Sequence, residues 1–112
     1  MNLETTTLGD ALVVQVTADR IDAACAIQFK DRMREIASNA PPRVIMDLGR
    51  VRFVDSSGLG AIVAVMKFLA PSRRLELAAL TANVAKVFHL TRMDAVFTIH
   101  ATLPAPGTDH GG

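Results

Sequence analysis

The chain has no tryptophan and no tyrosine, and its aromatic residues are five phenylalanines. Recognition of bases or sugars by stacking is therefore poorly supplied. A single cysteine, Cys25, excludes an internal disulfide and suits a reducing compartment. Charge of one sign is nowhere concentrated: 12 basic and 11 acidic residues leave a formal net charge of +1. A general nucleic-acid binder needs a basic face, so direct binding of nucleic acid is not expected. Long hydrophobic runs are missing too. The longest apolar stretch, Leu59 to Ala70, is interrupted by Gly60 and Lys67 and is too short to span a bilayer. The N-terminal MNLETTTLGD lacks the basic and apolar regions of a signal peptide. These absences point to a soluble cytoplasmic protein with no membrane attachment.

What is there suits one small globular domain. Half of the 112 residues are apolar, enough to build a core without disulfide or metal staples. Leu3 to Leu8 and Ala11 to Thr17 read as two strands around a Gly9-Asp10 turn, a β-hairpin. Cys25, Phe29, Met33 and Ile36 recur at helical spacing, with Asp22 as the expected N-cap and Asn39 and Pro41-Pro42 as the stop. Val44 to Leu48 is a short apolar run that suits a central strand covered on both faces. After a loop from Gly49 to Asp55, a second helix is expected from about Ser57 to Ala70, ended by Pro71. Leu75 to Leu80 reads as a strand, Asn83 to Thr91 as a third helix, and Val96 to Ile99 as the last strand. The order ββαβαβαβ predicts an α/β fold, a mixed sheet with parallel crossovers and helices packed on it. Pro104 to Gly112 reads as a disordered tail behind a domain of residues 1–103.

The informative stretch is Phe53-Val54-Asp55-Ser56-Ser57-Gly58-Leu59-Gly60. It joins a buried strand to a helix, where a rigid scaffold places polar groups. One serine is expected to cap the helix, but two serines and an aspartate exceed what a cap requires. Gly58 and Gly60 are expected to leave the backbone open to another molecule. The helix N-terminus favours anions, so a phosphate on Ser56 or Ser57 would meet a prepared site, close to the charge of Asp55.

The stretch VIMDLGRVRFVDSSGLGAIVAVMKFL resembles the core of STAS domains, the family named for sulfate transporters and anti-sigma factor antagonists. NVAKVFHLTRMDAVFTIH is similar to the family's third helix and last strand, and Ala11 to Asp22 to its second strand and following loop. The chain departs from the family at Ala18-Asp19-Arg20, where a glycine is frequent. The resemblance implies an anti-sigma factor antagonist (anti-anti-sigma factor), a phosphoprotein acting in transcription regulation by partner switching. The phosphorylated residue would be the second serine of D-S-S-G, Ser57, with Ser56 as structural neighbour and Asp22 nearby. Unphosphorylated, the protein would sequester an anti-sigma factor that is also an ATP-binding serine kinase, freeing a sigma factor. A metal-dependent serine phosphatase would reverse the modification. The alternative within the family is an accessory or scaffold subunit of a transport or stress-sensing complex.

The second helix is apolar nearly all round, so it is either fully buried or touches a partner. Leu59, Ile62, Val63, Met66 and Ala70 form the stripe expected to face the sheet. Ala61, Ala64 and Phe68, with Val65, fall roughly opposite. Together with Asp22, Asp55, Ser56 and Gly58, the residues Ala61, Ala64 and Phe68 make up the expected partner-binding surface. Arg50 and Arg52 are read as solvated loop residues, or as contacts to a phosphoryl group or an acidic partner. Cys25 reads as a core residue. His89, His100 and His110 are scattered, with no zinc-ligand spacing. D-S-S-G is not a G-x-S-x-G elbow and no phosphate-binding loop occurs. No catalytic site, cofactor or metal is expected.

Overall fold

The computed structural model describes residues 1–104. Of the expected tail only Pro104 falls within them; the rest of that reading lies outside the described residues. The chain forms a single α/β domain with a mixed sheet and three helices. A hairpin of β1 (Leu3–Leu8) and β2 (Ala11–Val16) is followed by β3 (Arg20–Ile21) and α1 (Ala26–Ala37). Then come β4 (Arg43–Asp47), β5 (Phe53–Val54), α2 (Ser56–Leu69), β6 (Arg74–Ala78), α3 (Ala82–Leu90), a 3-10 turn (Met93–Ala95) and β7 (Thr98–His100). Gly9 closes the hairpin turn with φ of 61°, a left-handed conformation that glycine adopts without a Cβ penalty.

The main sheet runs β1-β2-β4-β6-β7. β1 and β2 are antiparallel and the other pairs are parallel. β4 is therefore the middle strand, with Val44 to Leu48 all buried, as its apolar run predicts. The two-residue strands β3 and β5 form a separate parallel pair, Arg20 with Phe53 and Ile21 with Val54. A pair this short carries no periodicity, so the residues around it read as loop in the sequence. The last strand also starts later than its apolar residues suggest. Val96 is exposed after the 3-10 turn, while Phe97 is buried with its ring edge-on to Phe88, centroids 5.9 Å apart.

The helices cover one sheet face. Val14, Val16, Val44, Met46, Leu75 and Leu77 meet Phe29 and Met33 of α1, Ile62 and Leu69 of α2, and Val84 and Phe88 of α3 in one cluster. Each such side chain contributes roughly 1.5–3 kcal/mol by leaving water. The second face has a smaller apolar cluster, Ala11, Val13, Ile45 and Ala78, flanked by Leu8 and Leu103 and, among the described residues, without any helix residue. Beside it in the sheet register stand charged groups, Arg43 next to Arg74 and Ile45 next to Glu76.

Candidate functional site

The site forms where the β3–β5 pair meets the start of α2. Val54 turns inward and Phe53 outward, by strand alternation. Asp55 follows in extended conformation and is the N-cap of α2: its Oδ1 accepts the N–H of Gly58 at 2.8 Å. The expectation that a serine caps the helix is thus corrected. An ionised acceptor makes the stronger, charge-assisted bond to a backbone N–H and is favoured by the helix dipole. The other carboxylate oxygen, Oδ2, accepts the N–H of Ala23 at 3.2 Å. Asp55 therefore ties the loop before α1 to the start of α2.

Ser56 and Ser57 occupy the first turn of α2 and are both exposed. Among the described residues neither hydroxyl has a hydrogen-bond partner. First-turn N–H groups lack intrahelical acceptors, so the exposed start of α2 offers free donors beside two free hydroxyls.

Gly58 behaves otherwise than expected. It is buried, and a Cβ there would overlap the carbonyl of Ile21. Its backbone is approached closely by β3 of the same chain, not left open for another molecule. Gly60 does stand in open space, with nothing within 4 Å of a Cβ.

The seating of Gly58 on β3 also fixes the rotation of α2. The inward stripe is Gly58, Ala61, Ile62, Val65 and Leu69, displaced from the stripe expected by periodicity. Ala61, 3% exposed, and Val65 belong to the core, which corrects their assignment to a docking face. Leu59, Val63 and Met66, expected to point at the sheet, are half-buried at its edge, and Ala70 is exposed. Ala64 and Phe68 are half-buried. The Phe68 ring lies 5.0 Å from the guanidinium carbon of Arg34 on α1. The exposed residues of α2 are Ser56, Ser57, Gly60 and Lys67.

Asp22 does not cap α1. That helix starts at Ala26, with Cys25 at the N-cap and no side-chain cap bond. Asp22 instead holds the preceding turn: its Oδ1 accepts the N–H of Ala24 at 3.1 Å, and its carbonyl accepts that of Cys25 at 3.1 Å. Arg20 reaches it at 3.7 Å. Cys25 is half-buried beside Asp22 rather than in the core. Asp22 and Asp55 thus flank one loop, residues 22–25, next to the serines.

A second polar cluster lies on the helix-free sheet face. Glu76, 1% exposed, accepts from Arg43 Nε at 3.0 Å and Arg74 Nη2 at 2.9 Å, and pairs with His100 Nε2 at 2.7 Å. Burial alone pushes its pKa up, but the bonds from Arg43, His100 and Arg74 outweigh it and hold the carboxyl at about 2. The signal was present in the sequence as a lone acid inside the strand Leu75-Glu76-Leu77; Arg74 comes from the same strand, and Arg43 and His100 from its two neighbours β4 and β7. His89 pairs with Asp94 at 2.9 Å, so both described histidines hydrogen-bond to carboxylates and neither to a serine. Among the described residues no group of three or more His, Cys, Asp or Glu side chains is placed to hold a metal. No described helix is long and apolar enough to cross a membrane.

The sequence model of the STAS domain family matches residues 2–105. The fold is similar to that of an anti-sigma factor antagonist from Mycobacterium paratuberculosis, at 24% identity and a TM-score of 0.80, covering 91% of this chain and 86% of the other. It is similar to the Bacillus cell fate determinant SpoIIAA in its phosphorylated form, at 21% identity and 0.65, covering 91% and 93%. It is also similar to a sulfate transporter family protein from Wolinella succinogenes, at 11% identity and 0.69, covering 84% and 79%.

Proposed function

Because this chain belongs to the STAS domain family, we propose that it is an anti-sigma factor antagonist switched by phosphorylation of Ser57. The observation that carries this reading is the division of labour at the start of α2. Asp55 caps the helix, so the exposed Ser57 hydroxyl is not needed for the fold and is free for a kinase. Unphosphorylated, the surface around Ser57 docks on an anti-sigma factor with serine kinase activity and withholds it from a sigma factor. Phosphorylation adds roughly −1.5 to −2 charges at neutral pH. The free N–H groups of the first turn receive part of that charge, so the fold changes little. Binding changes far more, because the partner must desolvate or repel a dianion beside Asp55 and Asp22. A like-charge contact of several kcal/mol corresponds to a loss on the order of a hundredfold or more in affinity. A serine phosphatase resets the switch. The protein acts by binding and has no catalytic role of its own.

The test is incubation with an anti-sigma factor kinase of the source organism and ATP, followed by mass spectrometry and a binding assay. Phosphate on Ser57 and a hundredfold weaker complex are expected. Phosphate found only elsewhere, or an unchanged affinity after modification of Ser57, would sink the mechanism. The fold shared with the sulfate transporter family protein favours a second reading, an accessory subunit of a transport complex. Co-purification with a membrane transport protein instead of an ATP-binding kinase would select it.

A further inference from the structure

The helix-free sheet face carries a cavity of about 400 Å³, and no residue of the serine corner lines it. Its walls are Leu8, Val13 and Leu103, with Thr6, Gln15 and Asp47 as polar groups. Strand register brings these together: Thr6 pairs with Val13 across β1 and β2, and Gln15 with Asp47 across β2 and β4. Asp47 is the unusual member. Among the described residues only Asp47, 7% exposed, and Glu76 are both buried and charged. Glu76 receives two arginines and a histidine. Asp47 receives the backbone N–H of Gly49 on Oδ1, at 2.9 Å, and among the described residues no cation pairs with it. Every sealed side-chain nitrogen or oxygen of the described residues has a hydrogen-bond partner, so the unbonded Oδ2 is not sealed and opens on the cavity. The basic groups of this face are engaged elsewhere. Arg43, at the other end of β4, bonds Glu76 and reaches Asp10 at 3.6 Å, and Arg74 and His100 bond Glu76. Arg50, exposed in the turn after β4, is not part of the lining. Glu4, opposite Gln15 in register, puts a second negative charge on the same face.

We propose that this cavity binds a small organic cation, an alkylammonium whose apolar body lies against Leu8, Val13 and Leu103 and whose head sits on Asp47 Oδ2. A carboxylate taken out of water needs a cation or donors to offset the loss, and Asp47 has one donor for about four lone-pair sites. An ammonium brings three donors and no acceptor. It matches Oδ2, the Gln15 amide oxygen and the Thr6 hydroxyl, and neither Gln15 nor Thr6 has a side-chain partner among the described residues. An anion would meet Asp47 and Glu4 with no cation in the lining. The volume falls within the usual range of small-molecule sites, about 300–1,000 Å³. Residues 105–112 of the chain contain no lysine or arginine, so they bring no such head group of their own. The site is independent of the reading of Ser57.

The experiment is an amide NMR titration of the full chain at neutral pH and fixed ionic strength, with three probes of one shape: hexylammonium, hexanol and hexanoate. Hexylammonium is expected to give saturable shifts around Val13 to Gln15, Asp47 to Gly49 and Leu103. Hexanol should bind at least about tenfold more weakly, the scale of a hydrogen bond to a charged group, and hexanoate not at all. Asp47→Asn keeps an acceptor for Gly49 and should reduce hexylammonium binding to the level of hexanol. Equal binding of the three probes would show an apolar surface without a head-group site and overturn the inference. So would the absence of saturable shifts with hexylammonium, or shifts confined to the serine corner or to the Glu76 cluster. If Asp47→Asn does not fold, the ratio of hexylammonium to hexanol affinity in the parent decides.

Discussion

Two polar clusters of this domain invite comparison, the Asp55–Ser56–Ser57 corner and the Glu76 cluster on the helix-free sheet face. The buried Glu76 carboxylate is fully engaged: Arg43, Arg74 and His100 all hydrogen-bond to it. At the corner only Asp55 is engaged, and the two hydroxyls beside it stand exposed without partners. A buried carboxylate engaged in this way holds strands in register and is itself out of reach of another molecule. An unsaturated, exposed cluster adds little to the fold and keeps its chemistry available. The contrast separates structural from functional polarity better than residue type does, since both clusters contain acids at strand or helix positions.

The sharpest way to break the contrast is to empty the saturated cluster. Glu76→Ala takes away the shared acceptor of Arg43, Arg74 and His100, while Arg43 keeps Asp10 at 3.6 Å and Arg74 is mostly exposed, so the loss is expected at the low end of the range for breaking a buried pair from one side, about 3 kcal/mol. Urea unfolding should show this loss, with Ser57 still phosphorylated in the folded fraction. The same cluster predicts acid sensitivity. The folded pKa of about 2 lies below the ordinary 4.5, so the carboxylate's contribution is complete above pH 4.5 and is lost as pH falls toward 2. Its size is roughly 3 kcal/mol. Unfolding midpoints between pH 7 and pH 2 should fall steeply for the parent and less for Glu76→Ala.

The next largest effect is expected at Gly58. An added Cβ meets the Ile21 carbonyl, and the backbone of β3 must move away. Overpacking of this kind costs about 1–3 kcal/mol, and Gly58→Ala should lower the melting temperature accordingly. A parent-like melting temperature would show that β3 gives way freely. Asp55→Ala removes the cap of α2 and the acceptor of Ala23 together, for about 1–2 kcal/mol, measurable by urea unfolding. Smallest is Ser57→Ala: with no bond to lose, stability should stay within about 0.5 kcal/mol of the parent. Phosphorylation and its effect on partner affinity should vanish. A large stability loss in Ser57→Ala would erase the distinction between the two clusters.

Much of the fold was legible in the chain. The hairpin turn, the central apolar strand and the helix stops at Pro41-Pro42 and Pro71 are local signals, readable because turn chemistry and periodicity act over a few residues. The position of Ser57 at a helix start was legible for the same reason. Other assignments failed where a decision depends on distant residues. Periodicity reported that α2 is apolar all round, but a helix with that property has no preferred rotation of its own. Ala61 and Val65 went into the core because Gly58 is seated on β3, a contact across 37 positions of sequence. Phe68 is half-buried, with Arg34 of α1 over its ring, a contact between two helices that the spacing does not show.

The capping of α2 shows the same limit at close range. Asp55, Ser56 and Ser57 are all good cap residues, and the sequence reading expected a serine in that role. The extended conformation imposed on Asp55 by the β3–β5 pair, together with its second bond to Ala23, settled it. By itself, then, the sequence determined the order of the main-sheet strands and the three helices, the family and the residue types gathered at the start of α2, because these follow from local propensity and motif. Which hydroxyls remain free, which face of α2 is buried and that Asp47 lines a cavity were decided by the tertiary structure. Those outcomes depend on packing between segments far apart in the chain, where steric exclusion and the pairing of polar groups choose among locally equivalent states.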